Sequence, residues 1–173
     1  MVKKIIWAVV FIVAAALLQS TVFSRLALYI HAVPDIALCF LVFVAYANGT
    51  MTGQITGFIS GFLLDFLSAA PLGLNALVRT LIGALTGLLK GTFFLDFFFL
   101  PMALCAGATI IKAMVYFLLH LLFSQTVPYY ALFNLKFWVE LGLNILLAPF
   151  LFAFLKLFKS LLIGSRGRLA DGF

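Results

Sequence analysis

Two segments, GQITGFISGFLLD at residues 53–65 and RTLIGALTGLLKG at residues 79–91, decide the fold of this chain. Each segment carries a glycine at every fourth position and one charged residue at one end of that series. Positions four apart share one face of an α-helix, so each segment predicts a helix with a glycine stripe that ends in a charge. The stripes consist of Gly53, Gly57, Gly61 and Asp65 in the first segment and of Arg79, Gly83, Gly87 and Gly91 in the second.

Only the short connection at residues 69–73 separates the two predicted helices, so they should lie antiparallel. At about 1.5 Å of rise per residue, Asp65 and Arg79 then reach similar depths, and we expect them to form an ion pair. We expect the glycine faces to pack closely, either on each other or on neighbouring helices, because small residues let backbones approach in lipid. Two interpretations stay open: the stripes tighten the protein's own bundle, or they form a face that binds a partner.

The composition shows which solvent surrounds such helices. Apolar residues make up 66% of the 173 residues, charged residues 9%, and the mean hydropathy is +1.27. Soluble domains have about 45–50% and about 25%, respectively. We therefore predict an all-α, polytopic transmembrane bundle that forms a single membrane domain over residues 1–173. The net charge of +6 is better explained by basic residues at helix ends than by nucleic-acid binding.

Six apolar segments have lengths compatible with the roughly 17–25 residues of a transmembrane helix, although the second is short. The predicted spans are residues 5–23, 34–46, 52–68, 74–89, 100–123 and 137–158. Lys and Arg residues outside these spans are unevenly distributed between the two sides, which predicts that both termini are cytoplasmic. One side has Lys3, Lys4, Lys90, Lys156, Lys159, Arg166 and Arg168, and the other has Arg25 and Lys136.

Other polar residues within the spans give weaker signals. Lys112 and Glu140 differ in depth by roughly 10 Å at 1.5 Å per residue, so a direct pair requires a helix shift or a snorkelling lysine. Alternatively, Lys112 faces an internal polar cavity. Cys39 and Cys105 are expected to be buried hydrophobic residues, and we expect no metal or cofactor. No nucleotide-binding loop, nucleophile elbow or zinc-protease motif is present in the sequence, and we predict that the chain is not an enzyme.

Several elements together resemble the MreD family of bacterial rod shape-determining membrane proteins. They are Gln19-Ser20-Thr21, Pro34-Asp35, GFISGFLLDFL at residues 57–67 and PLGLNAL at residues 71–77. The resemblance implies a scaffold in the bacterial cytoplasmic membrane that serves the cell-elongation complex and side-wall peptidoglycan synthesis. The partners that it implies are MreC, MreB, and RodA with its penicillin-binding protein. We place the MreC contact on the first helix or on the glycine faces of helices three and four.

The resemblance also implies a fold similar to the substrate-binding subunits of energy-coupling-factor transporters, which supplies an alternative function. A vitamin-type binding subunit would use the outer end as a pocket, with Asn75, His31, Trp138 and Glu140 as candidate contacts. The Ala-x-x-x-Ala pattern frequent in the first helix of that transporter family is absent from residues 5–23. This departure favours the scaffold function.

Overall fold

The computed structural model of the chain is helical. It describes residues 2–30, 33–68, 71–91, 98–124, 127 and 134–162. The helices are α1 (Val2–Ile30), α2 (Ile36–Asn48), α3 (Thr50–Leu67), α4 (Leu74–Leu88), α5 (Phe99–Leu122), α6 (Leu135–Leu157) and the single-turn α7 (Lys159–Leu162). The described part of the chain contains no strand, which confirms the all-α prediction.

Each predicted span coincides with a helix, but the first differs in length. Helix α1 continues to Ile30, beyond the break predicted after residue 23. Among the described residues, two helices are both long and apolar enough to cross a membrane, α5 and α6. Helices α2 and α4 are apolar but shorter. Arg166 and Arg168, which contribute to the predicted orientation, lie outside the described residues.

Helix α2 is the centre of the fold. Every residue from Ala37 to Ala45 is buried, and α2 contacts each of the helices α1, α3, α4, α5 and α6. A helix that is apolar around its whole circumference suits such a position, because all of its faces lose contact with the surroundings. The N-terminus of α2 therefore lies among side chains from several neighbouring helices.

Helix α3 has its small and polar residues inside and its large apolar residues outside. Its buried residues are Thr52, Gly53, Thr56, Gly57, Ser60, Gly61 and Asp65. On the opposite side, Phe58, Phe62 and Phe66 are 55%, 43% and 64% exposed and pack ring against ring along the helix. This arrangement is the reverse of that in a soluble protein, and lipid is the solvent that suits it.

The contact between α3 and α4 is made by glycines. A Cβ atom added to Gly53 or Gly83 would collide with the backbone of the other residue, and one added to Gly57 would collide with the backbone of Arg79. A Cβ on Gly61 would lie 2.5 Å from the carbonyl oxygen of Asn75. The two stripes thus pack against the opposite backbone, as small residues permit.

At the end of the hairpin that contains the start of α3, glycine again packs against the opposite backbone, with one exception. A Cβ on Gly87 would lie 2.5 Å from the Cα of Thr50, at the start of α3. Gly91, which the sequence spacing assigned to the stripe, has no packing partner within 4 Å of its Cβ position in the described part of the chain. It lies beyond the end of α4 with a φ of 73°, a left-handed conformation that glycine adopts readily. The packing stripe on α4 therefore ends at Gly87.

Candidate functional site

The strongest concentration of buried polar groups surrounds Asp35, immediately before α2. Asp35 is 8% exposed, and its Oδ1 accepts a hydrogen bond from the backbone N–H of Leu38 at 3.0 Å. The first N–H groups of a helix lack partners within the helix, and aspartate is one of the preferred residues for capping them. The cap fixes the Asp35 carboxylate at the N-terminus of the central helix.

Two cations converge on this carboxylate. Arg79 Nη2 on α4 lies 3.0 Å from Asp35 Oδ1, and Lys112 Nζ on α5 lies 2.7 Å from Asp35 Oδ2. The same Lys112 Nζ lies 2.8 Å from Glu140 Oε1 on α6. We call these four residues the ion cluster. Its two positive and two negative charges balance, which buried charges require if they are to remain ionised.

Neutral hydrogen bonds extend the ion cluster to α6 and α1. Asn144 Oδ1 accepts from the backbone N–H of Asp35 at 2.8 Å, and Asn144 Nδ2 donates to Thr109 Oγ1 at 3.0 Å. On the other side, Gln19 Oε1 accepts from the backbone N–H of Ile36 at 3.0 Å. Side chains from α1, α4, α5 and α6 are thereby tied to the beginning of α2.

The expected ion pair between Asp65 and Arg79 is replaced by other contacts. Asp65 accepts hydrogen bonds from the backbone N–H groups of Gly73, Asn75 and Ala76 at 2.9, 2.9 and 3.2 Å. Helix α4 has Gly73 at its N-cap, which has no side chain to cap the first N–H groups. Asp65 supplies the missing acceptor from the neighbouring helix, and Arg79 turns to Asp35 instead.

Lys112 contacts Glu140 directly, although the difference in helix depth predicted from the sequence argued against such a pair. Lys112 lies ten positions before the end of α5 at Leu122, and Glu140 lies five positions after the start of α6 at Leu135. The offset of about 7.5 Å at 1.5 Å per residue is within reach of the long lysine side chain.

Asp35 is the residue that sequence reasoning missed as a site residue. The pair Pro34-Asp35 pointed to the start of a helix, but the charge was not matched to a cation. The available signal was the presence of Arg79 and Lys112 inside predicted spans, because buried cations need anionic partners. Few acidic residues could supply them, since the chain has only five Asp and Glu residues.

A cavity of about 380 Å³ lies beside the ion cluster, between α1, the start of α2, the end of α3 and the start of α4. Its apolar wall includes Leu17, Leu64 and Leu67. The polar residues in its lining are Gln19, Asp35, Ser68, Asn75 and Arg79. Pockets of about 300–1,000 Å³ are typical of sites for small ligands.

Of the three candidate contacts of a vitamin-binding subunit that lie in the described part of the chain, only Asn75 lines this cavity. Glu140 belongs to the ion cluster, and Trp138 is 58% exposed. His31 lies outside the described residues.

The described residues contain no group of three or more His, Cys, Asp or Glu side chains that could hold a metal ion. Cys39 and Cys105 are both buried free cysteines. In the ion cluster, both carboxylates are engaged by cations, so its chemistry is that of a tie between helices.

Comparison with known proteins adds the family. Searches of the curated proteins and of the solved structures each found no match. The family model for the rod shape-determining protein MreD matches residues 1–158, which includes all six long helices and the ion cluster. The chain therefore belongs to the MreD family of rod shape-determining membrane proteins.

Proposed function

We propose that this chain is a non-catalytic scaffold subunit of the bacterial cell-elongation complex that binds a MreC-like protein through lateral helix packing. It would thereby help to position the machinery of side-wall peptidoglycan synthesis. MreB and RodA with its penicillin-binding protein would join the same assembly. Membership of the family of rod shape-determining proteins supports the general role.

One observation carries the scaffold role: the charged side chains of the interior pair with each other, whereas the outer surface between the helix ends is apolar. The ion cluster connects four elements through contacts of 2.7–3.0 Å. Buried paired charges are costly to separate, which favours a rigid body. Away from the helix ends, the large side chains exposed on α1, α3 and α6 are hydrophobic and suit contact with lipid or with another transmembrane helix.

We place the MreC contact on α1. The glycine faces of α3 and α4, the other location considered, cover each other and leave no room for a third helix between them. Helix α1 buries Ala8, Ile12 and Ala15 against the protein. Its opposite face exposes Ile6, Val10 and Ala14 at intervals of four residues, a pattern that suits a helix partner.

The test is co-purification of the chain with the MreC-like protein of the same bacterium. Ala14→Phe adds bulk to the exposed face of α1 and should remove most of the recovered partner. Ala153→Phe makes the same change on an exposed position of α6 and should leave recovery unchanged. Equal recovery with both variants would exclude α1 as the contact, and failure of the unaltered chain to recover the partner would exclude the scaffold role itself.

The proposed topology is multi-pass, with six spans and both termini in the cytoplasm. The basic residues Lys3, Lys4, Lys90, Lys156 and Lys159 support it, because positive charges favour the cytoplasmic side. Reporter fusions at the two ends should both be active in the cytoplasm. An external C-terminal reporter would contradict an even number of crossings.

The alternative is a vitamin-type binding subunit of an energy-coupling-factor transporter, and its fold would be the same kind of six-helix bundle. The cavity beside Asn75 is the observation in its favour. The family match favours the scaffold. Stabilisation of the purified chain by a vitamin at low concentration would decide for the alternative.

A further inference from the structure

The cavity beside the ion cluster is short of hydrogen-bond acceptors. Both oxygens of Asp35 already accept from Arg79, Lys112 and the start of α2. Gln19 Oε1 accepts from the backbone of α2, Asn75 Oδ1 accepts from a tyrosine hydroxyl, and Ser68 Oγ accepts from Asn75. Every polar side chain in the lining other than Arg79 thus has its oxygen atoms engaged.

Donor capacity, in contrast, is left over on Arg79. This residue is 6% exposed, and its Nη1 is buried with no hydrogen-bond partner among the residues that the structure describes. A buried donor without a partner is destabilising, and more so when the group is charged. Arg79 is one of the residues that line the cavity, so a small movement of its side chain would bring Nη1 to an acceptor that a ligand places there.

The apolar part of the lining indicates what carries that acceptor. Leu17, Leu64 and Leu67 offer an apolar surface next to the polar residues. An apolar surface of this kind suits an acyl chain, and the polar residues beside it suit a headgroup.

We propose that this cavity binds an anionic amphiphile, with phosphate or carboxylate oxygens at Arg79 and an acyl chain along Leu17, Leu64 and Leu67. The planar guanidinium group matches both kinds of oxygen pair. The ligand oxygen would take the unused donor at Nη1, so Asp35 would keep its contacts with Arg79 Nη2 and Lys112. The proposal goes beyond the scaffold role and does not depend on it.

The experiment measures binding to the full-length chain in a neutral detergent, as the rise in thermal unfolding midpoint during titration. The probes are phosphatidylglycerol, a long-chain fatty acid, an uncharged diacylglycerol and inorganic phosphate. Saturable stabilisation by phosphatidylglycerol alone identifies phosphate as the group bound, and stabilisation by the fatty acid identifies carboxylate. Either result supports the proposal.

Filling the cavity provides the specificity test without removing a hydrogen bond. Ala16 lines the cavity, whereas Ala14 lies on the exposed side of α1. Ala16→Phe should weaken binding of the amphiphile about tenfold, which corresponds to about 1.4 kcal/mol, and Ala14→Phe should leave it unchanged. If Ala16→Phe does not fold, Leu17→Trp in the lining and Leu18→Trp outside it form a second matched pair.

Three results would overturn the proposal. The first is that neither anionic amphiphile stabilises the chain, whether or not inorganic phosphate does so. The second is stabilisation by diacylglycerol equal to that by phosphatidylglycerol, because the anionic group would then be irrelevant. The third is equal binding by the two members of the matched pair. Ala14→Phe is also the variant expected to lose MreC, so the failure of this proposal and that of the scaffold role are distinguishable.

Discussion

The α3–α4 hairpin and the α5–α6 pair join neighbouring helices by different means. In the hairpin, glycines bring the backbones together, so that Gly53 and Gly83 leave no room for a Cβ. On α5 and α6, the glycines Gly107 and Gly142 have no packing partner within 4 Å of a Cβ position among the described residues. That pair is joined by polar side chains, through Lys112 with Glu140 and Thr109 with Asn144. Two neighbouring helices of a membrane protein can thus be held together either by close packing of small residues or by hydrogen bonds between longer side chains.

This difference predicts that a single substitution lowers stability more in the polar contact between α5 and α6 than in the glycine contact between α3 and α4. Lys112→Met leaves Asp35 and Glu140 with only Arg79 to balance them, and removal of one partner from buried ion pairs costs about 3–5 kcal/mol. We expect the free energy of unfolding, measured by SDS titration of the detergent-solubilised protein, to fall by about that amount. This is the largest effect expected of the changes described below.

A second substitution shows whether charge balance is the cause. Adding Glu140→Gln to Lys112→Met leaves Asp35 with Arg79, one negative and one positive charge. The double variant should therefore regain part of the lost stability. If it is less stable than Lys112→Met alone, the loss comes from packing and the charge argument fails.

The hairpin breaks by crowding. Gly83→Ala places a Cβ against the backbone of Gly53, and the helices must separate because a backbone cannot move aside as a side chain can. Overpacking of this kind costs about 1–3 kcal/mol. The same SDS titration should show the loss, and an unchanged midpoint would mean that α3 and α4 separate without cost.

The two regions also differ in how far sequence alone describes them. The spacing of four from Gly53 to Gly61 shows a small-residue face because close packing leaves a periodic trace. A contact between long side chains produces no periodic pattern in the sequence. The partners of Arg79 and Lys112 depend on where α2 begins. Helix depth alone could not rank Asp35 above Asp65 as the partner of Arg79.

One detail in the sequence could have corrected that ranking. Gly73 precedes α4 and cannot cap it, so the first N–H groups of α4 need an acceptor from elsewhere. Asp65, on the adjacent end of α3, was the acidic residue best placed to serve them. Because Asp65 accepts these hydrogen bonds, Arg79 pairs with a different carboxylate, that of Asp35. The position of α2 in the centre, in contrast, follows from packing among all the helices and could not be derived from its sequence alone.

Loss of the Asp65 cap should destabilise the α3–α4 hairpin less than Gly83→Ala does. Asp65→Asn keeps the shape of the side chain but removes one oxygen acceptor from the three N–H groups that it serves. Loss of a cap costs about 1 kcal/mol, and no buried cation is left without a partner. Ser68→Ala at the exposed end of the same helix is the control and should have little effect. A loss as large as that of Lys112→Met would indicate that Asp65 has a charged partner after all.

The smallest effect is expected for glycines of α5 and α6, and it is the most direct test of the difference between the two helix pairs. Gly107→Ala and Gly142→Ala add a Cβ where the described structure has open space, on the two helices that are joined by side chains. Alanine favours a helix over glycine by about 0.5–1 kcal/mol, so stability should stay the same or rise slightly. Gly83→Ala makes the identical chemical change with the opposite sign, because backbone occupies the site of the new methyl group. If Gly142→Ala destabilised the protein as much as Gly83→Ala, the loss could not be assigned to space between the backbones. Glycine would then act in both pairs through its own conformation, and the distinction between the two kinds of helix contact would disappear.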